Sequence, residues 1–154
     1  MTKSASPFLL FLLVITGLLQ AQPPASRFWY FGNTAGLDFG TNPPSPLTNS
    51  SMNAFEGCAT IADVAGVLQF YTNGNLVWDR NHVPMPSGNG LNGDGAATQT
   101  AIVVPAPQNS SKYYIFTVDT NGGPRGLCYS EVDMTLNGGS GDVTVKNIQL
   151  QSAV

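Results

Sequence analysis

Glu131 and Asp133 come nearest, in type and spacing, to a catalytic pair. Residues at i and i+2 of a strand share one face. Two carboxylates on one face are the equipment of glycoside hydrolysis. They also suit the solvated face of a near-edge strand, and that plainer role is preferred. His82 is the single histidine. No metal-ligand spacing links it to a partner, and no G-x-S-x-G nucleophile motif accompanies it. It reads as a loop residue beside Pro84. No catalytic, cofactor-binding or metal-ligating residue is therefore assigned, and no intrinsic hydrolase activity is expected.

Three further motifs invite chemistry. "GNGLNG" (Gly88 to Gly93) matches G-x-G-x-x-G letter for letter. Dinucleotide binding needs a strand before that motif and a helix after it. "DGAATQTAIVV" follows instead, a few loop residues and then a strand, so a flexible loop is the better reading. Asn89, Asn92 and Asp94, together with "DTNGG" (Asp119 to Gly123), form oxygen-rich loops of the kind that hold calcium. The spacing of a calcium loop is missing, and Asp94 is the only carboxylate of its loop, so plain turns are preferred. Trp78-Asp79 ends a strand. Trp78 lies on the face of Leu76, which points to core packing before ligand stacking. Asn49-Ser50-Ser51 and Asn109-Ser110-Ser111 fit the glycosylation pattern, which matters only in a host that uses it.

These residues sit in a chain built from short strands. Of 154 residues, 17 are glycine and 11 proline, and only 10% are charged, which is a profile of strands and turns. Hydrophobic content of 42% supports a packed core. A formal charge of -3 leaves no basic footprint for nucleic acid.

The first 21 residues read as a signal peptide. Lys3 is followed by the 13-residue apolar run "PFLLFLLVITGLL" (Pro7 to Leu19) and then by small Ala21. That run is too short to span a bilayer as a helix. Export is expected, with residues 22–154 remaining and no stable membrane span. The remaining chain has five Lys and Arg against nine Asp and Glu, a net charge of -4. Export permits disulfides, but there are only two cysteines, Cys58 and Cys128. A bridge would need their Cα atoms within about 7 Å. Two free thiols buried in strands are the preferred reading.

Strands are expected in "RFWYFG" (27–32), "AGLDFG" (35–40), "GCATIAD" (57–63), "GVLQFYT" (66–72) and "NLVWD" (75–79). More follow in "TQTAIVVP" (98–105), "KYYIFTVD" (112–119), "GLCYSEVDM" (126–134) and "DVTVKNIQL" (142–150). Val, Ile, Tyr and Phe fill them, and Gly, Asn, Asp and Pro separate them. "TNPPSPLTNSS" (41–51) and the stretch after Asp79 read as loops. Asn73-Gly74 predicts a type I′ hairpin turn, and "DVAG" (63–66) and "NGGSG" (137–141) are further tight connections. Leu68 and Tyr113, each in the second strand of a group, stand 45 residues apart, within the range of one propeller blade. "KYYIFTV" and "AIVV" are apolar on both faces, as strands covered from both sides must be.

The fold predicted is all-β: a partial β-propeller of about two antiparallel meander blades after the signal peptide. Two blades cannot close a ring. Residues 22–154 are thus expected to be an incomplete propeller-like domain, the N-terminal part of a longer protein, with one blade face bare.

A resemblance adds to this reading. "WYFGNTAGLDFG", "EGCATIAD", "LQFYTNGNLVWDRNH", "TQTAIVVPAP", "YYIFTVD" and "YSEVDMTLNGGSGDVTVKN" occur in order between Phe28 and Asn147. Together they resemble the start of large secreted surface proteins of Bacteroidetes. Such proteins open with a propeller-like domain, often continue into PKD-type domains and end in a gliding-motility-associated or type IX secretion sorting domain. The resemblance implies export and a surface role, linked to gliding motility or adhesion, and transfers no catalytic residue. The family more often has Arg where Cys128 stands, which argues against a Cys58–Cys128 bridge. The function expected is a non-enzymatic exported binding or scaffolding module with a surface protein or a glycan as partner. The alternatives are a carbohydrate-binding β-sandwich and an accessory domain of a secreted hydrolase.

Overall fold

The computed structural model describes residues 24–152, and the expected signal peptide (1–21) lies outside them. The described residues are all-β and form three antiparallel sheets, each an open meander in which every strand pairs with its sequence neighbour. The first sheet holds β1 (Phe28–Phe31), β2 (Ala35–Asp38) and β3 (Ser45–Leu47). The second holds β4 (Ala59–Ala62), β5 (Leu68–Thr72), β6 (Leu76–Asp79) and β7 (Pro84–Asn89). The third holds β8 (Ala101–Pro105), β9 (Lys112–Val118), β10 (Leu127–Asp133) and β11 (Asp142–Gln151).

Two sheets were expected and three are present. Each of the nine expected strands forms. The additional two, β3 and β7, fall in stretches that read as loops, because they carry Pro46 and Pro84 with Pro86. Proline cannot donate to a ladder, yet it is tolerated in an edge strand. Both β3 and β7 are the last strands of their sheets, each paired on one side only.

The three sheets stack with the second in the middle. Tyr30 and Met52 pack on Leu68, Tyr71 and Trp78 between the first and second sheets. Phe70, Val77, Met85 and Leu91 meet Tyr113, Ile115, Val132 and Val143 between the second and third. All five residues of β5 are buried as a result. Each fully buried side chain of this size stabilises by roughly 1.5–3 kcal/mol. The leading strands lie along one margin, β1 against β4 and β4 against β8, while β7 and β11 meet at the opposite margin.

The turns fix these margins. Asp63 Oδ1 accepts from the amides of Ala65 and Val67, and Gly66 takes a φ of +77°. Asp79 repeats the arrangement with the amides of Asn81 and Val83, and His82 takes the glycine's place at a φ of +64°. The Asn73-Gly74 connection differs from expectation. Gly74 alone has a positive φ, +84°, and Asn73 instead accepts from the amides of Asn75 and Leu76 through its side chain. A type I′ turn needs positive φ at both central residues. Here the Asn73 side chain supplies the turn's bonds, and Thr72↔Val77 is the last pair before a longer loop.

Candidate functional site

The third sheet has one covered face and one open face. Along β9, Tyr113, Ile115 and Thr117 are buried against the second sheet, while Tyr114, Phe116 and Val118 face the other way. Along β10 the outward residues are Leu127, Tyr129, Glu131 and Asp133. Register sets these side chains together. Phe116 pairs with Ile102 and Tyr129, Tyr114 pairs with Val104 and Glu131, and Tyr129 pairs with Ile148. Directly opposed residues share a face. The outer face thus presents Ile102, Val104, Ile148 and Leu150, all exposed, around a group of three rings. Tyr114, Phe116 and Tyr129 lie with centroids 6.0–6.5 Å apart, the two tyrosines edge to face at 72°. Tyr114, Phe116, Tyr129, Glu131 and Leu150 line a groove of about 260 Å³.

Glu131 and Asp133 share this face, as their spacing requires, but sit in different surroundings. Asp133 accepts from the hydroxyl and amide of Thr135 and pairs with Lys112 at 3.5 Å. Those contacts, the Thr135 hydroxyl foremost, hold its carboxyl below the usual range. Glu131 lines the aromatic groove, and its side chain has no hydrogen bond or ion pair among the described residues.

His82 lies at the opposite seam. With the Asn49 amide oriented so that its oxygen accepts from the Tyr30 hydroxyl, its N–H donates to His82 Nε2 at 2.8 Å. The neutral ring then carries its proton on Nδ1, 3.1 Å from the Tyr71 hydroxyl, which also accepts the Ser51 amide. Burial lowers the His82 pKa, and the charge of Asp79 opposes that shift. Nε2 thus ties the ring to Asn49, and Nδ1 ties it to Tyr71 of β5, whose hydroxyl holds Ser51. Trp78 is buried and stacks on Tyr71 at 5.5 Å, as core packing predicts.

Asp94 and Asp119, from the two oxygen-rich loops, do come together. Arg125 stands between them, with Nη2 at 2.8 Å and 2.6 Å from their carboxylates. Its guanidinium holds Asp119 below the usual carboxylate range, through the side-chain bond first. The arrangement supplies the positive charge that a calcium ion would bring. Among the described residues no group of three metal-ligating side chains forms. "GNGLNG" begins at the end of β7 but leads into no helix. Leu91 is buried instead, and its amide bonds the Asn75 carbonyl. Cys58 and Cys128 are both free. Burial pushes the Cys58 thiol up, and it donates to the Tyr30 carbonyl, with Thr60 bridging β1 and β4 beside it.

The ring triad, Arg125 and the Asn49–Tyr30–Tyr71 partners of His82 were not singled out in the sequence. One signal was available for His82: Asp79-x-x-His82 has the spacing of Asp63-x-x-Gly66. No family model matches the chain, and neither a curated protein nor a solved structure matches it.

Proposed function

We propose that the chain is part of a β-propeller-like, non-enzymatic module of a larger exported surface protein, with a binding or scaffolding role. The observation that carries this reading is the outer face of the third sheet. Its rings and aliphatic residues match in kind the inner face that packs on the second sheet. In a stack of blades every interior sheet is covered twice, and the second sheet is already so covered. A further sheet over Tyr114, Phe116 and Tyr129 completes the same pattern. Alignment of the leading strands β1, β4 and β8 along one margin also suits blades arranged about an axis. A two-layer sandwich accounts less well for a middle sheet with cores on both sides.

A binding role is preferred to catalysis because Glu131 and Asp133 face different surroundings and His82 is held within the fold. The surface address, and a link to adhesion or gliding, rest on the resemblance to Bacteroidetes surface proteins. The test compares this chain with one extended by the residues that follow it in its reading frame. Solvent accessibility of Tyr114 and Tyr129 is measured by hydroxyl-radical labelling. Protection of both rings in the longer chain supports the covering sheet. Equal labelling in the two chains, with both monomeric and folded, removes it.

A further inference from the structure

A face made only of apolar side chains would accept any apolar cover. This one has a carboxylate in it. Glu131 stands in the groove with Tyr114, Phe116, Tyr129 and Leu150, and among the described residues no cation or donor reaches its side chain. The two lysines near this end of the sheet are engaged elsewhere. Lys112 pairs with Asp133, and Lys146 donates to the carbonyls of Ser87 and Asn89. If an apolar sheet closed over this face, it would strand a charge without a partner, a costly arrangement.

The rings around the carboxylate indicate what kind of group resolves this. Their faces carry the negative end of the ring quadrupole, and Tyr114 and Tyr129 stand edge to face. Three tilted rings beside an anion make a pocket for a cation that is flat or weakly hydrated. Guanidinium fits better than ammonium. It is planar, stacks on aromatic faces, sheds water at lower cost and meets a carboxylate with two parallel N–H donors. The chain uses the same chemistry once within itself: Arg27 lies 4.7 Å over the Phe28 ring while its nitrogens bond both oxygens of Asp38.

We propose that the Tyr114–Phe116–Tyr129–Glu131 groove is a receptor for the guanidinium of an arginine presented by the protein surface that covers the third sheet. This rests on the reading that the face is covered, and it adds the chemistry of the contact. The rings supply attraction to a cation once water is excluded, and Glu131 sets which cation and in what orientation. An arginine in the cover thus turns an unspecific apolar contact into one with a fixed register, because misplacing it leaves two buried charges unpaired.

The test uses the whole chain and a free side-chain probe. N-acetyl-arginine amide is titrated into the protein and followed by the ring resonances of Tyr114, Phe116 and Tyr129. N-acetyl-citrulline amide, the neutral isostere, is the control. Arginine amide is expected to give saturable shifts at these three rings with millimolar affinity, and citrulline amide to bind at least about tenfold more weakly. Glu131→Gln, which keeps size and fold, is expected to remove most of that preference. Equal binding of the two amides, shifts confined to other residues, or an unchanged preference in Glu131→Gln would each overturn the proposal. An equal response to tetramethylammonium would overturn the choice of guanidinium. The covering sheet is judged apart, by the protection of Tyr129 in the extended chain. Arginine preference without protection removes the cover and leaves the pocket; protection without arginine preference removes the pocket.

Discussion

The two faces of the third sheet are written in nearly the same residues and live in different surroundings. Tyr113, Ile115 and Val132 are at most 3% exposed, sealed against Phe70 and Val77 of the second sheet. One position along each strand, Tyr114, Phe116 and Tyr129 are only partly covered, and Ile102 across from Phe116 is 49% exposed. Strand chemistry alone does not separate them. An apolar face records that something covers it, and the inner face shows what that covering is worth. On the inner side Ile115→Ala opens a cavity among close-packed neighbours and is expected to cost about 2–5 kcal/mol. On the outer side Phe116→Ala removes a half-buried ring with solvent on one flank, and a smaller loss of about 1–2 kcal/mol is expected in the chain alone. Urea unfolding of the two variants gives the contrast. Similar losses would mean that the outer rings already carry core packing, and the distinction between the faces would fail.

The covered side can be probed without removing any side chain. Gly74 closes the β5–β6 loop against the start of the third sheet. A Cβ there would lie 2.5 Å from Thr100 Oγ1, which is buried and has no hydrogen-bond partner among the described residues. Gly90 has a similar φ, +76°, with open space around it. Alanine at Gly90 pays only for the left-handed backbone, about 1 kcal/mol. At Gly74 the same strain adds to a clash with a neighbour that is itself packed, and about 2–4 kcal/mol is expected. The difference between the two variants measures how tightly the second and third sheets close. Equal losses would show that the seam has room to give, and would weaken the claim that the inner face is the rigid one.

The sequence made most of this architecture legible, and the reasons are local. Val, Ile, Tyr and Phe in β5, β6, β8, β9 and β10 sit between Asn, Gly and Asp turns, so nine strands could be placed. A bare face was expected from the doubly apolar "YYIFTV"; the outward residues of β9 are half-buried. Proline hid β3 and β7, since an edge strand that lacks some donors is hard to tell from a loop. With β3 hidden, β1 and β2 were expected as strands but not as a sheet of their own. The Asn73 turn was misjudged because a side chain can supply bonds that the dipeptide rule assigns to backbone geometry. The ring triad and the Arg125 contacts were out of reach. Phe116 and Tyr129 become neighbours only through the β9–β10 register, and Asp94 meets Arg125 across 31 residues.

The smallest expected effect concerns the other seam, where His82 ties the first sheet's connection to the second. It serves as a control on the comparison, because it lies away from the open face. The Asp63 turn places Gly66 where the Asp79 turn places His82, so the histidine holds a left-handed backbone that glycine takes at no steric cost. Tyr30 and Tyr71 face the ring from the first and second sheets and Asn49 from the connection after β3; the charged groups of its own turn are Asp79 and Arg80, whose guanidinium bonds Gln69. The folded pKa of His82 is lowered, from an unfolded value near about 6.5. Between those two values the unfolded chain binds the extra proton. Stability is therefore greatest above about pH 6.5, falls as the pH drops toward the folded pKa, and levels off below it. Asp38, Asp119 and Asp133 have lowered pKa values too, but their contribution is lost only in the acid range, as the pH falls through and below their unfolded values near about 3.9. A window from about pH 7.5 to about pH 5.5 isolates the histidine. His82→Gly is expected to flatten the stability slope in that window, while the relieved backbone offsets part of the lost ring contacts and keeps the net change at pH 7.5 within about 1 kcal/mol. An unchanged slope would assign the pH dependence to other groups and leave His82 as packing alone. A matching change in Tyr114 or Tyr129 labelling would show instead that the two seams are coupled, and that the open face cannot be treated apart from the rest of the stack.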